Sequence, residues 1–398
     1  MVTLTIDNIK LLTPGNYSAI WVRISQLLLQ NNRETNDSAV TRGVNQKIEQ
    51  QLKRILYKTI RSSDDLSPKH LSGIILALSK MAHRVRKSGG GDDPVYNLFM
   101  EESSKRQDDV FHPLIDSANN RLHKFEPRYL SNLSYSCALL RINPTILEDE
   151  TLLDRIASEA IQQIQTFNSQ DLSNMVWAYA TLRKPSTPLF EAVGNSIAAS
   201  TNLRSFKPQD FSNIVWAFAT LREEHPGMFQ CIGERIAEHE ELIRRFKPQE
   251  ICNTLWAFAT VHADNEDMFQ RVGDCIVEEF DLNRFTSQNL SNLVWAYTTR
   301  GEEHLQLFKK VGVAVADRQD LRSFKPQALA NIVWAFASSG VVHLGMFAKI
   351  GDTIAKYDDL KAFKPHEVRT IAGSFRAVNV DHPALFAKLE ETGISLER

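Results

Sequence analysis

The chain has 398 residues, of which 43% are hydrophobic and 24% charged, and its formal net charge is −2. This near-neutral balance argues against a generic, strongly basic nucleic-acid binder, and no apolar run approaches the ~20 residues of a membrane-spanning helix. The four cysteines form no C-x-x-C pair and lie within apolar stretches, which predicts reduced core residues.

Residues 1–60 are predicted to form an N-terminal extension with one helix. An amphipathic pattern over residues 44–60 places Leu52 and Ile55 on or near one face. The start of the chain carries Asp7 and a single early basic residue, Lys10. It therefore resembles neither a good signal peptide nor an Arg-rich, acid-poor transit peptide.

From residue 61 onwards the sequence is organised around one repeated motif, seen most clearly between residues 167 and 340. Its asparagine recurs at Asn132, Asn174, Asn213, Asn253, Asn292 and Asn331. A fixed period of about 39 residues is typical of a solenoid made of helix pairs. We therefore predict an all-α fold: an α-solenoid over residues 61–398, a right-handed superhelix of about eight helix-turn-helix repeats.

The first helix of each repeat is predicted from the motif itself. Pro208 suits the first helical position, and residues 211–219 are apolar nearly all the way round, as in a helix that is buried on most sides. One stripe differs from the rest of this helix. It consists of Gln209, Asn213, Trp216 and Thr220, which fall on one helical face.

The second helix of each repeat carries a glycine in mid-helix. These residues are Gly233, Gly273, Gly312 and Gly351. Glycine inside a helix costs roughly 1 kcal/mol relative to alanine. Its recurrence predicts that another helix packs too closely at this point for a side chain.

The outer repeats depart from the motif. In the first repeat, Gly73 stands where asparagine belongs, and in the second Tyr135 replaces tryptophan. In the eighth, Thr370 and Gly373 replace asparagine and tryptophan. Terminal units of a solenoid are expected to be atypical because one face has no neighbour.

The predicted loops alternate in charge. Basic residues precede each first helix, whereas acidic residues such as Glu223, Asp264 and Glu302 lie between the two helices of a repeat. In a stack of hairpins these loops lie on opposite edges, so one edge is predicted to be basic and the other acidic. Solubility and helix-end electrostatics are the alternative explanation.

The motif resembles the octotricopeptide repeats of algal and other organellar proteins; the nearest copy is residues 324–337. It is similar, more distantly, to the helical repeats of FAST-kinase-like proteins and of a mitochondrial RNA-editing substrate-binding subunit. The resemblance implies RNA binding in mitochondria or chloroplasts, with roles in transcript stability, processing or translation. Many relatives end in a RAP domain, a nuclease-like module, and no counterpart is predicted here.

Two sets of residues are candidates for contacting RNA. The backbone candidates are Lys207, Arg244, Lys247, Arg284, Arg322, Lys325 and Lys364. The base-reading candidates, at the variable position after glutamine, are Asp171, Asp210, Glu250, Asn289 and Glu367. A carboxylate can accept from cytosine N4 and an asparagine can pair with adenine. The alternative for this position is an acidic residue stabilised by the helix dipole.

The recurring asparagines and tryptophans are interpreted as structural. They are Asn174, Asn213, Asn253, Asn292, Asn331, Trp177, Trp216, Trp256, Trp295 and Trp334. We expect the asparagines to form a hydrogen-bonded ladder and the tryptophans to pack in the core. Base reading and base stacking are the alternatives.

Nothing in the sequence predicts an enzyme. The recurring histidines, His225, His304, His343 and His382, are too far apart to share a metal ion and are interpreted as helix-start residues. No zinc-protease, Ser-His-Asp or phosphate-loop motif occurs. The predicted function is non-catalytic binding of single-stranded RNA, without cofactor, metal, membrane or small-molecule substrate. The alternative is a protein–protein scaffold subunit of a ribonucleoprotein.

Overall fold

The computed structural model describes residues 14–30, 39–88, 99, 105–147, 150–200 and 203–396. Asp7 and Lys10, on which the leader-peptide argument rests, lie outside this set. The chain divides into two compact units, residues 1–193 and 194–398. Helices dominate both units, and the predicted all-α solenoid is confirmed.

The helices of the first unit are α1 (Pro14–Gln30), α2 (Ala39–Arg61), α3 (Pro68–Ser88), α4 (Lys105–Asn119), α5 (Pro127–Leu140), α6 (Leu152–Gln162) and α7 (Ser169–Thr181). Helix α8 (Thr187–Ala198) contains the boundary between the units. The strands within the described residues are β1 (Thr145–Leu147) and β2 (Glu150–Thr151), a short antiparallel hairpin before α6.

The helices of the second unit are α9 (Pro208–Leu221), α10 (Pro226–Ala237), α11 (Glu240–Arg244), α12 (Pro248–Thr260), α13 (Glu266–Glu279), α14 (Ser287–Arg300), α15 (Leu305–Ala316), α16 (Pro326–Ser338), α17 (Leu344–Ala355), α18 (Pro365–Ala377) and α19 (Pro383–Glu390).

The helices form eight pairs within the described residues, which we number as repeats 1–8. The first members, called A helices, are α3, α5, α7, α9, α12, α14, α16 and α18. The second members, called B helices, are α4, α6, α8, α10, α13, α15, α17 and α19. Inside the second unit each A helix packs on the next A helix and each B helix on the next B helix, as a solenoid requires.

The N-terminal extension contains two helices, α1 and α2, where the sequence predicts one. Helix α1 packs against α3. Its buried residues Tyr17, Trp21 and Ser25 recur every four residues, but polar neighbours dilute the apolar pattern. The Trp21 side chain is fully buried, and its Nε1 donates to Thr59 Oγ1 of α2 at 3.0 Å. This extension is therefore integrated into the first unit.

The B-helix glycines accommodate a side chain of the following repeat. A Cβ atom on Gly312 would lie 2.5 Å from His343 Cδ2, and one on Gly233 would lie 2.2 Å from Asn265 Nδ2. Close approach at these glycines is therefore confirmed, but the group that approaches is a helix-capping side chain rather than a helix backbone. Gly194, Gly273 and Gly351 have the same relation to His225, His304 and His382.

These histidines begin the B helices, as predicted. His343 Nδ1 accepts from Met346 N–H at 3.1 Å, and His382 Nδ1 accepts from Leu385 N–H at 3.2 Å. Because Nδ1 accepts, the ring proton lies on Nε2. His382 Nε2 is 3.2 Å from Asp352 Oδ1 of the preceding B helix, so one imidazole links two successive repeats.

The other end of the B helices is joined by lysines. Lys310 Nζ of α15 donates to three backbone carbonyl oxygens at the end of α13: Ile276 at 3.0 Å, Val277 at 2.8 Å and Phe280 at 2.8 Å. Carbonyl groups in the last turn of a helix have no partner within the helix. A cation at this end also interacts favourably with the negative end of the helix dipole. Lys349 and Lys388 each donate to one carbonyl of the preceding repeat, Gln319 and Asp358, in the segments that follow α15 and α17.

The four cysteines are free thiols. Cys137, Cys252 and Cys275 are buried, in line with the predicted core positions, whereas Cys231 is partly exposed. Burial raises the pKa of the Cys275 thiol to about 11.

Candidate nucleic-acid interface

One face of the A helices in repeats 4–7 carries an identical set of three side chains, which we call the amide–tryptophan stripe. In each helix the glutamine is exposed, while the asparagine and the tryptophan are partly exposed. The residues between them, such as Ile214 and Val215, are fully buried. The stripe comprises Gln209, Asn213, Trp216, Gln249, Asn253, Trp256, Gln288, Asn292, Trp295, Gln327, Asn331 and Trp334.

The tryptophans of the stripe lie at the edge of the core: most of each residue is buried, but part of its surface remains in solvent. Trp216, Trp256, Trp295 and Trp334 all keep part of their surface in solvent, as does Trp177 in the first unit. The helix core is filled instead by smaller apolar residues and by Phe218, Phe258, Tyr297 and Phe336. An apolar run nearly all round a helix does not show which residue lies at the solvent edge.

The hydrogen-bonded ladder predicted for the asparagines is not continuous. Within the described residues, the side-chain amides of Asn253, Asn292 and Asn331 have no protein hydrogen-bond partner, and the same holds for Asn174 in the first unit. These amides are partly exposed, so their donors and acceptors remain available to water or to a ligand.

In the first unit, aromatic side chains at the tryptophan position of neighbouring repeats contact each other. In the first unit, Tyr135 of α5 occupies the tryptophan position and lies beside Trp177 of α7, with ring centroids 5.1 Å apart and planes inclined by 36°. These two aromatic side chains therefore contact each other across repeats 2 and 3.

The proposed base-reading residues serve as helix caps. Asp210 Oδ2 accepts from Lys207 N–H at 2.9 Å, and Glu367 Oε2 accepts from Lys364 N–H at 2.7 Å. Glu250 and Asn289 make the same bond to the residue three positions earlier. All of these except Glu250 are buried. The geometry thus favours the capping alternative, since these side chains already accept hydrogen bonds from the backbone.

Asp171 occupies this position in repeat 3. Its backbone N–H donates to Asn168 Oδ1 at 2.9 Å, and its side chain is 7% exposed. Burial raises the pKa of its carboxyl group above the ordinary value, against the opposing effects of Arg128 and of a backbone hydrogen bond from Asn168. This residue also has no solvent-facing carboxylate with which to read a base.

The basic candidates lie where the A helices begin. Lys207, Lys247, Lys325 and Lys364 are the N-cap residues of α9, α12, α16 and α18, and all are exposed. Arg284 and Arg322 are exposed in the turns before α14 and α16. Since each glutamine of the stripe lies in the first helical turn, this basic edge borders the stripe directly.

Arg244 differs from the other basic candidates because carboxylates surround it. Its guanidinium group forms ion pairs with Glu240 and Glu241 of α11 and with Glu279 of α13, the last at 2.7 Å. Hydrogen bonds with these carboxylates, above all Glu279, raise the pKa of Arg244. We therefore remove Arg244 from the candidate phosphate contacts.

The opposite edge is acidic. Glu224 and Asp264 are exposed in the loops that follow α9 and α12, and Glu266 and Asp267 are exposed in the first turn of α13, one helix length of ~20 Å from the basic edge. A cavity of about 790 Å³ opens here between repeats 4 and 5. Its lining includes these four side chains.

Comparison with protein-family models and with curated proteins gives no match for this chain. Within the described part of the chain, no helix is both long and apolar enough to span a membrane, and no group of three metal-ligating side chains occurs.

Proposed function

We propose that the protein is a non-catalytic, single-stranded RNA-binding helical-repeat protein. Bases lie on the amide–tryptophan stripe, and phosphates lie along the basic edge formed by Lys207, Lys247, Arg284, Lys325 and their neighbours. The observation that carries the proposal is the recurrence, in the A helices of repeats 5–7, of a partly exposed tryptophan next to an asparagine amide that has no protein partner among the described residues.

The chemistry of the stripe suits unpaired bases. Single-stranded nucleic acids are bound by stacking of bases on aromatic side chains and by hydrogen bonds to the exposed base edges. An indole supplies the stacking surface, and a carboxamide supplies both a donor and an acceptor. A double helix hides its base faces, so this arrangement favours single strands.

The charge distribution supports a defined track for the backbone. The overall charge is close to zero, yet lysines gather at the start of the A helices and carboxylates at their end. A phosphate chain is attracted to the first edge and repelled by the second, and this supports a phosphate track beside the stripe. The resemblance to octotricopeptide repeats suggests a role in transcript stability, processing or translation in a mitochondrion or chloroplast.

Fluorescence anisotropy with a pool of short single-stranded RNAs tests the proposal. Trp256→Ala is expected to weaken binding by about 1–3 kcal/mol, the value of one base stack, and Trp256→Phe by less. Because Trp256 is partly exposed, its removal should cost less stability than the 3–5 kcal/mol of a buried aromatic. Leu344→Ala, which removes a 67% exposed apolar side chain away from the stripe, is the control. No saturable binding by folded protein at low salt would refute the proposal.

The acidic cavity between repeats 4 and 5 supports a second candidate, a scaffold that binds a basic protein segment. Such a segment would pair with Glu224, Asp264, Glu266 and Asp267. Charge reversal at Glu266 and Asp267 would abolish this interaction and leave RNA binding on the other edge unchanged. Binding of RNA that persists in that variant separates the two functions.

A further inference from the structure

From repeat 2 to repeat 7, the turn after each A helix contains one residue with a positive φ, nine positions after the repeat asparagine. Repeats 6 and 7 have glycine there, Gly301 and Gly340, which adopts this conformation without steric cost. Repeats 2, 3 and 4 have arginine instead: φ is 60° at Arg141, 52° at Arg183 and 58° at Arg222. A non-glycine residue is uncommon in this conformation, so the geometry of the turn alone does not explain the arginines.

The first unit gathers further cations at this end of its A helices. Helix α3 begins at the repeat proline, as α5 does, but it has 21 residues where α5 has 14. It therefore continues for about two more turns, and these carry His83 and Arg86. His83 Nδ1 donates to the Leu139 carbonyl oxygen at 3.3 Å, and Arg86 Nη2 donates to the Leu140 carbonyl oxygen at 3.4 Å. The end of α3 thus lies against the end of α5, next to Arg141.

Within the described residues, the charges that act on this cluster are all positive. Burial lowers the pKa of His83, and so do the charges of three cations. These are Lys87, Arg86 and Arg141. Lys87 and Arg141 are exposed and have no ion pair in the described part of the chain, and the same holds for Arg183 of repeat 3. A group of like charges without a counter-charge is stabilised by a bound anion.

The helix dipole does not account for this distribution. A cation is favourable at the carboxyl end of any helix, yet the second unit has the exposed carboxylates of Glu224 and Asp264 at the same end of its A helices. At the starts of the A helices the contrast is reversed. Lysines gather there in the second unit, whereas in the first unit cations are mixed with exposed carboxylates such as Asp64 and Glu126. Each unit thus has its own basic end of the A helices.

We propose that the A-helix ends of the first unit bind backbone phosphates of single-stranded RNA through Lys87, Arg141 and Arg183. The inference rests on the proposed RNA-binding function and adds a second phosphate site to it, at the helix end opposite to that of Lys207 and its equivalents. A guanidinium group matches a phosphate with two parallel N–H donors. Each of repeats 1–3 supplies one of these cations, so a strand laid across successive A helices meets a positive charge in every repeat.

A charge-removing pair of substitutions tests the inference by fluorescence anisotropy at several salt concentrations. Arg141→Gly and Arg183→Gly together remove two guanidinium groups and install the residue that repeats 6 and 7 already have in this turn. We expect the slope of log affinity against log salt to shrink by about 1.4 units, since each phosphate contact on a single strand contributes ~0.7. The loss should be the same for every RNA sequence. Arg222→Gly, at the same repeat position beside the exposed Glu224, is the matched control and should keep the parent slope.

His83 provides a second, local measurement. Its pKa, followed by NMR of labelled histidine, should rise when RNA binds to the parent protein, because a phosphate offsets the three neighbouring cations. The rise should be absent in the Arg141→Gly, Arg183→Gly variant. A parent-like slope in that variant, or a slope reduced equally by Arg222→Gly, would overturn the second phosphate site and leave RNA binding intact. No saturable binding by the folded parent protein at low salt would overturn both.

Discussion

The imidazole of His304 fills the space that a side chain on Gly273 would need. A Cβ atom on Gly273 would lie 2.3 Å from His304 Cδ2 and 2.9 Å from the Tyr297 hydroxyl oxygen. Neither neighbour moves freely. His304 Nδ1 accepts from Leu307 N–H at 3.2 Å, and the Tyr297 hydroxyl donates to the Phe269 carbonyl at 2.6 Å. The glycine therefore belongs to the joint between repeats 5 and 6.

Gly273→Ala is expected to lower the free energy of unfolding by about 1–3 kcal/mol, the usual cost of overpacking a filled site. The matched control is Gly373→Ala in α18, where an added Cβ has no atom within 4 Å. That substitution should gain up to about 1 kcal/mol from helix propensity. Urea unfolding followed by circular dichroism measures both. A stabilised Gly273→Ala variant would contradict the close contact.

His304→Ala is expected to cost about 0.5–2 kcal/mol because the first turn of α15 loses its cap. The double variant with Gly273→Ala should lose less than the sum of the single variants, since removing the imidazole removes the clash. A coupling of about 0.5–3 kcal/mol is typical of residues in direct contact. A double-mutant cycle of unfolding free energies measures it, and strict additivity would show that the two residues do not interact.

Asp171→Asn is expected to change the pH dependence of stability. Burial raises the pKa of Asp171 above 3.8, so the folded state binds its proton more tightly than the unfolded state. The resulting stabilisation is fully present below pH 3.8 and is lost as the pH rises through the folded-state pKa. The variant should therefore exceed the parent in stability at neutral pH and lose this advantage in acid.

The chain itself supplies the reverse control. Repeat 6 already carries Asn289 at the position of Asp171, and its amide oxygen caps Thr286 N–H at 3.0 Å. Asn289→Asp should destabilise the protein at neutral pH and approach the parent in acid. Denaturant midpoints at several pH values measure both variants, and a difference that is independent of pH in each would contradict the assignment.

The basic edge predicts a salt effect on RNA binding. Changing Lys207, Lys247 and Lys325 together to Gln should reduce the slope of log affinity against log salt by about two units, since each phosphate contact on a single strand contributes ~0.7. Arg244→Gln is the matched control, because carboxylates already hold this guanidinium. Anisotropy titrations at several salt concentrations measure the slope. An unchanged slope in the triple variant would move the phosphate track to another face.

The repeat period, the helix pairs and the helix-start histidines could be predicted from the sequence because each is a local pattern that recurs. The partial exposure of Trp256 could not be predicted. Its helix is apolar on nearly every face, so the sequence pattern does not show which face meets solvent. The sequence also could not decide between base contact and helix capping for Glu250. Its charge suits either a ligand or a helix cap, and only the hydrogen bond to Lys247 N–H distinguishes them.

The pairing of B-helix glycines with capping histidines also escaped sequence analysis, although a signal is present. Gly273 and His304 stand at the same sequence separation as Gly312 and His343, and as Gly351 and His382. The histidine is explained by its position at a helix start and the glycine by close helix packing. Neither motif alone therefore indicates that the two residues contact each other. The ion pairs of Arg244 could not be predicted in this way, because Glu279 lies 35 residues further along the chain. In addition, α11 stands where other repeats have only a short 3-10 helix, such as Leu203–Ser205 or Leu282–Arg284.

The lysine contacts between successive B helices run in one direction along the chain: a lysine of the later repeat donates to carbonyls of the earlier one. Lys310 completes α13, and Lys349 and Lys388 contact the ends of the two following B-layer segments. The end of α13 thus receives its last hydrogen bonds from sequence that is translated later. During synthesis on the ribosome, the end of α13 is expected to acquire these hydrogen bonds only after Lys310 has emerged. Completion of this B helix should accordingly lag its own synthesis by one repeat.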